Sequence, residues 1–148
     1  MDLQGLKSVP LEESLRYMVW YSHYVMFDTN ARKNGVIMVE NLDKIGFFAA
    51  FTLIPPKLSA KMDRLTIGVL PVKMKKIYIT DAANWFNILL AMMSPFISKK
   101  MKSRMVNMKD DYGGIMEALG GAEYMYESFG KSKGGILKKD EVSAKYFS

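Results

Sequence analysis

The segment from Trp85 to Ile97 constrains the fold more than any other part of the chain. Trp85-Phe86-Asn87-Ile88-Leu89-Leu90-Ala91-Met92-Met93-Ser94-Pro95-Phe96-Ile97 is almost wholly apolar. Written as a helix, one stripe holds Phe86, Leu89, Leu90, Met93 and Ile97, and the opposite side holds Trp85, Ile88, Met92 and Phe96. A surface helix keeps a polar outer face, so a helix that is apolar all round lies in a core or faces a membrane. The segment is shorter than the roughly 20 apolar residues that cross a bilayer, and Asn87, Ser94 and Pro95 interrupt it. Two environments remain. One is a central core position between two layers. The other has a ligand cavity on one face and lipid on the opposite one.

The flanking charges favour the second. Lys73, Lys75 and Lys76 precede the segment, and Lys99, Lys100, Lys102 and Arg104 follow it. The second group also complements the negative end of the helix dipole. Each Lys or Arg near an anionic bilayer contributes about 1 kcal/mol, less in salt. Taken alone, such runs ordinarily mark a solvated surface; beside an apolar helix they predict reversible docking on an anionic membrane. The formal net charge of +6 agrees with an anionic partner. Nucleic acid is the competing anion. It is disfavoured because Met and Ile stand between the charges, the aromatics concentrate in predicted buried helices, and no RNA-recognition or zinc-finger signature is present.

The rest of the chain reads as alternating helices and strands. Pro10, Glu12 and Glu13 open a helix with Leu11, Leu15, Met18, Val19, Val25 and Met26 at helical spacing, expected to reach about Ala31 with Asn34-Gly35 as its stop. Tyr17, Trp20, Tyr21, Tyr24 and Phe27 surround that helix and predict packing on two sides. Val36-Ile37-Met38-Val39 reads as a strand buried on both faces, followed by a loop through Asp43-Lys44 and Phe47-Phe48. Pro55-Pro56 opens a helix to about Val69, with Leu58, Met62, Leu65 and Val69 on one face. A strand is expected over Lys75 to Asp81, a helix from Trp85 to about Lys102, and a strand over Met105 to Met108. Asp111 should cap a short helix that stops at Gly120-Gly121. This alternation implies an α/β fold with a mainly parallel sheet.

The chemistry of a catalyst is missing. His23 is the sole histidine, placed mid-helix without a sequence-visible base or carboxylate partner, and there is no cysteine. One histidine and scattered carboxylates provide no metal-ligand spacing. Gly130-Lys131-Ser132 lacks the upstream glycine of a phosphate-binding loop, since Met125 stands there. The chain is expected to be neither an enzyme nor a metalloprotein. Thirteen methionines suit either an adaptable apolar ligand surface or an ordinary core with Met in place of Leu. The absence of cysteine fits a cytoplasmic protein, and Met1-Asp2-Leu3-Gln4 does not begin a secretory signal.

Several motifs follow one another along the chain. Leu70-Pro71-Val72-Lys73 is followed by Ile77-Tyr78-Ile79-Thr80-Asp81, Phe86, Pro95-Phe96-Ile97-Ser98-Lys99-Lys100-Met101-Lys102 and a closing Tyr126-Glu127-Ser128-Phe129-Gly130. This series, running from Gly35 to Gly130, resembles the CRAL-TRIO lipid-binding domain family. The resemblance implies a mainly parallel β-sheet as the floor of an apolar lipid pocket, covered by helices and closed by a mobile gate helix. The gate matches Trp85 to Ile97, so Trp85, Phe86, Ile88, Leu89, Leu90, Met92, Met93, Phe96 and Ile97 become pocket or gate residues. It also implies that Lys73, Lys75, Lys100 and Arg104 hold phosphoinositide headgroups, and the charge argument adds Lys76, Lys99 and Lys102.

The function so implied is transfer of a small hydrophobic lipid between membranes, whether phosphoinositide, tocopherol or retinoid-like. The lipid ligand is expected in place of a cofactor, with peripheral attachment to membranes from the cytoplasm. The alternative is a regulatory module of the same fold that binds a membrane or a protein partner without transfer. The resemblance implies a lipid-binding domain over residues 1–130 and leaves 131–148 as a basic, glycine-containing tail. The domain is expected to be N-terminally incomplete, lacking the family's helical subdomain and first strand. Three departures stand out. Asn41-Leu42-Asp43-Lys44 replaces the usual Asp-Leu-x-Gly, Asp81 stands where Asn is common, and Lys131 replaces the second closing glycine.

Overall fold

A computed structural model of the chain describes residues 8–53, 55–64, 71–127, 129 and 134–138. The order is α1 (Leu11–Phe27), α2 (Thr29–Asn34), β1 (Val36–Asn41), α3 (Phe47–Leu53), α4 (Pro56–Arg64), β2 (Met74–Thr80), α5 (Trp85–Met93), α6 (Lys99–Lys102), β3 (Met105–Lys109) and α7 (Tyr112–Leu119). The fold is α/β, with β1, β2 and β3 in one parallel sheet and β2 at its centre.

Strand register sorts the side chains. Met38 pairs with Ile77 and Ile77 with Met105, while Glu40 pairs with Ile79 and Ile79 with Asn107. Alternation therefore puts Met38, Glu40, Ile77, Ile79, Met105 and Asn107 on one face. The apolar members of that face join a buried cluster with Leu42, Ile45, Ala50, Phe86, Leu89, Met93 and Met101. Thus α3 and α5 cover this face. Along β1 the apolar residues are only half-buried, as suits an edge strand, so the expected burial on both faces is not found there.

Capping chemistry fixes the ends of the elements. Asp28 breaks the first helix earlier than predicted. Its backbone is extended, and its carboxylate accepts hydrogen bonds from the Asn30 and Ala31 amides, starting α2 anew. Gly35 (φ 77°) ends α2, and a Cβ there would collide with the Lys73 carbonyl oxygen. Asp111 caps α7 through the Gly114 amide, and left-handed Gly120 closes it. Both of these match the sequence expectation. The predicted continuation of α4 through Leu65 and Val69 lies outside the described residues.

Two expectations fail for clear reasons. Phe47-Phe48 begins a helix rather than lying in a loop, because Phe47, Ala50 and Phe51 form an inward stripe on the core while Phe48 remains exposed. Around α1 the predicted two-sided packing is not found among the described residues. Tyr17, Trp20, Tyr21 and Phe27 are exposed, and the rings of Tyr17, Trp20, Tyr21 and Tyr24 pack on one another along the helix. Of the tail, residues 134–138 return to the domain. Leu137 bridges to Tyr126, and its amide donates to the Met125 carbonyl at 3.0 Å.

Candidate functional site

The apolar segment is not one helix. α5 stops at Met93, Ser94–Phe96 forms a 3-10 turn, Ile97 is extended, and α6 is a separate turn over Lys99–Lys102. Pro95 explains the break, since it has no N–H to continue the ladder. The Ser94 amide instead turns in to the Ala91 carbonyl. Ser98 then starts α6, its hydroxyl oxygen accepting from the Met101 amide at 3.1 Å. Asp63 on α4 clamps this junction. Its carboxylate accepts from the Ser98 hydroxyl at 3.0 Å and from the Ser98 amide at 3.1 Å.

The two sides of α5 differ sharply. Phe86, Leu89 and Met93 are buried on the sheet, with Trp85 and Leu90 packed at the margin. Phe47 meets the Trp85 ring edge-on with centroids 6.4 Å apart. The other side carries Ile88 at 60% exposure and Met92 at 48%, followed by Phe96 at 46% in the 3-10 turn. Ile97 is half-buried. The segment is therefore apolar on both sides but covered on one, which is not the state of a central core helix.

The parallel register draws the two basic clusters together. Because Ile77 pairs with Met105, residues 73–76 and 99–104 meet at the N-terminal end of the sheet. The Ile77 amide donates to the Arg104 carbonyl at 2.9 Å, and Lys76 Nζ approaches the Ser103 carbonyl at 3.4 Å. Lys73, Lys75, Lys99 and Lys100 are exposed, while Lys76, Lys102 and Arg104 are half-buried. Buried Met101 anchors α6 in the core and leaves its lysines outside. Arg32 and Lys33 in the last turn of α2 stand at the same end. They went unnoticed in the sequence because they lie about 40 residues from the nearest basic cluster, and only strand pairing brings them near it. Lys102 Nζ donates to Ser94 Oγ at 2.6 Å, so the basic end is continuous with the exposed apolar side.

The C-terminal end of the sheet is built differently. Asn41 Nδ2 donates to Asp81 Oδ2 at 2.8 Å and lies 3.3 Å from the Tyr112 hydroxyl, which also donates to Asp81. Asn41 Oδ1 accepts from the Asp43 amide at 2.7 Å. Lys44, Asp81 and Lys109 all take left-handed backbone there. Glu40 lies beside Ile79 on the core face, half-buried, and desolvation pushes its carboxyl above the ordinary carboxylate range. No sequence signal marked Glu40, because a lone carboxylate after four apolar residues reads as a strand end.

The CRAL/TRIO domain model matches residues 1–130. The chain belongs to the CRAL/TRIO domain family. No curated protein matches it. CRAL/TRIO domains are lipid-binding and lipid-transfer modules, and membership implies a lipophilic ligand. Among the described residues, no helix is long and apolar enough to cross a membrane. Two of the departures noted above meet in the structure. Asn41 and Asp81 lie 40 residues apart in the chain and are joined by one hydrogen bond in the fold.

Proposed function

We propose that this chain is a non-enzymatic carrier. It holds one hydrophobic lipid of the phosphoinositide, tocopherol or retinoid-like kind and docks reversibly on anionic, phosphoinositide-containing bilayers from the cytoplasmic side. The observation that carries this reading is the continuity of the exposed Ile88, Met92 and Phe96 with the converged cations, tied by Lys102 and Ser94. An apolar patch rimmed by cations matches a bilayer surface, where acyl chains lie beneath anionic headgroups. Opening of α5 would expose Phe86, Leu89 and Met93 as lining for an acyl or isoprenoid tail. Asp63 and Ser98 mark the point about which α5 can swing, because the chain is extended between the 3-10 turn and α6.

Native mass spectrometry of protein purified from cells tests the proposal. A bound lipid, together with extraction of lipid from liposomes, is the expected result. An empty protein that extracts nothing overturns the carrier reading. The direct packing of Phe86, Leu89 and Met93 on the sheet favours a second reading, a regulatory module that docks on membranes or a protein partner without cargo. Co-sedimentation with liposomes in the absence of transfer selects that one.

A further inference from the structure

Three serines lie in or beside the basic end, and they differ in what holds them. Ser94 is half-buried and accepts from the Lys102 ammonium. Ser98 is half-buried and committed to Asp63 and to the cap of α6. Ser103 is exposed in the turn between α6 and β3, where its hydroxyl makes one local bond, to the Lys100 carbonyl at 2.9 Å. Lys99, Lys100 and Lys102 precede it and Arg104 follows, so a basic frame surrounds a single accessible hydroxyl.

We propose that Ser103 is a phosphorylation site for a basophilic serine/threonine kinase, and that the modification releases the domain from anionic membranes. The proposal rests on the docking reading above. In the reaction, Ser103 Oγ bonds to the γ-phosphorus of ATP, the bond from that phosphorus to its bridging oxygen breaks, ADP leaves, and the hydroxyl proton passes to the kinase base. A kinase that selects basic residues around its target finds them on both sides of Ser103. The segment it must unwind is short, since α6 spans only Lys99–Lys102.

The added phosphate carries a charge of about −1.5 to −2 at neutral pH. It would stand beside Lys76, whose ammonium already reaches the Ser103 carbonyl, and among the α6 lysines. Local pairing there removes cations from the membrane-facing set, the arrangement of an electrostatic switch. Cancelling that much charge is expected to weaken vesicle binding about ten- to thirtyfold.

The test treats the full chain with ATP and a basophilic kinase, maps the modified residue by mass spectrometry, and measures co-sedimentation with phosphatidylcholine vesicles containing a phosphoinositide. Modification at Ser103 with weakened binding is the expected result, and Ser103→Ala should dock as well as the original chain while resisting the kinase. Modification confined to other residues, or undiminished binding by chains phosphorylated at Ser103, overturns the switch and leaves docking intact. Failure of the unmodified chain to bind overturns the docking reading, and the release step with it. Circular dichroism of the modified chain separates loss of docking from loss of fold, and a lost fold overturns the switch.

Discussion

At the N-terminal end of the sheet, cations from three separate parts of the chain lie at the surface, with few side-chain partners among the described residues. At the C-terminal end, Asn41, Asp81 and Tyr112 bind one another, and Lys44, Asp81 and Lys109 take left-handed backbone. Unpaired exposed charges add little to folding stability and remain available to an outside anion. Buried polar networks do the reverse: they are costly when broken and present little to a partner. Substitution at the first end is therefore expected to change binding while sparing the fold, and substitution at the second to change stability.

The largest effect should come from reversing charge at the basic end. Lys99→Glu, Lys100→Glu and Arg104→Glu together replace three attractions of about 1 kcal/mol each with repulsions. Binding to phosphoinositide vesicles is expected to fall at least about a hundredfold, with an unchanged unfolding midpoint. Undiminished binding in low salt would break the comparison, because the cations would then be mere surface.

Next is the pair of Asn41 and Asp81. Asn41→Asp alone sets two carboxylates within hydrogen-bond reach in a partly buried site, a cost of about 2–3 kcal/mol. Adding Asp81→Asn restores a donor facing an acceptor, so the double variant should recover most of that loss. Denaturant unfolding of both single variants and the double variant measures the coupling. Additive losses would mean that the two side chains do not act as a pair.

The pair also shows how far the sequence could be followed. Strands were legible as short apolar runs, and Asp111 and Gly120 as helix ends, because each signal lies within a few residues of its effect. The apolar helix was legible, but its end lies earlier than expected: Pro95 withholds a ladder donor, and Ser98 starts a separate turn through a cap bond that composition does not display. The two stretches of lysine were visible, whereas their convergence depends on the register of β2 and β3. Asn41 and Asp81 each read as an isolated departure, since the bond joining them spans 40 residues. The exposure of Tyr17, Trp20, Tyr21 and Phe27 on α1 is not legible, because helical periodicity tells which residues share a face and not how far that face is covered.

Lys44 offers a smaller test at the same end. It holds φ 57°, a backbone conformation that favours glycine. A left-handed residue with a Cβ costs roughly 1–2 kcal/mol, partly offset by the greater chain entropy that glycine loses on folding. Lys44→Gly is expected to stabilise the fold by about 0.5–1 kcal/mol and to leave vesicle binding unchanged, as measured by thermal unfolding and co-sedimentation.

The finest distinction lies in the response to pH. Desolvation raises the Glu40 carboxyl above its ordinary value of 4.5, so the folded chain holds this proton more tightly than the unfolded chain does. The contribution of Glu40 to stability is thus fully present below that ordinary value and is lost as pH rises through the higher folded value. Glu40→Gln keeps the shape and removes the titration, so its unfolding free energy should lack this decline, most visibly on the alkaline side. Urea unfolding across a pH series checks the sign: parallel curves for the two proteins would show that Glu40 is well solvated. A curve for the original chain that rises with pH relative to the variant would mean that a cation stabilises the carboxylate. In that event the two ends of the sheet would be less unlike in their handling of charge than their geometry indicates.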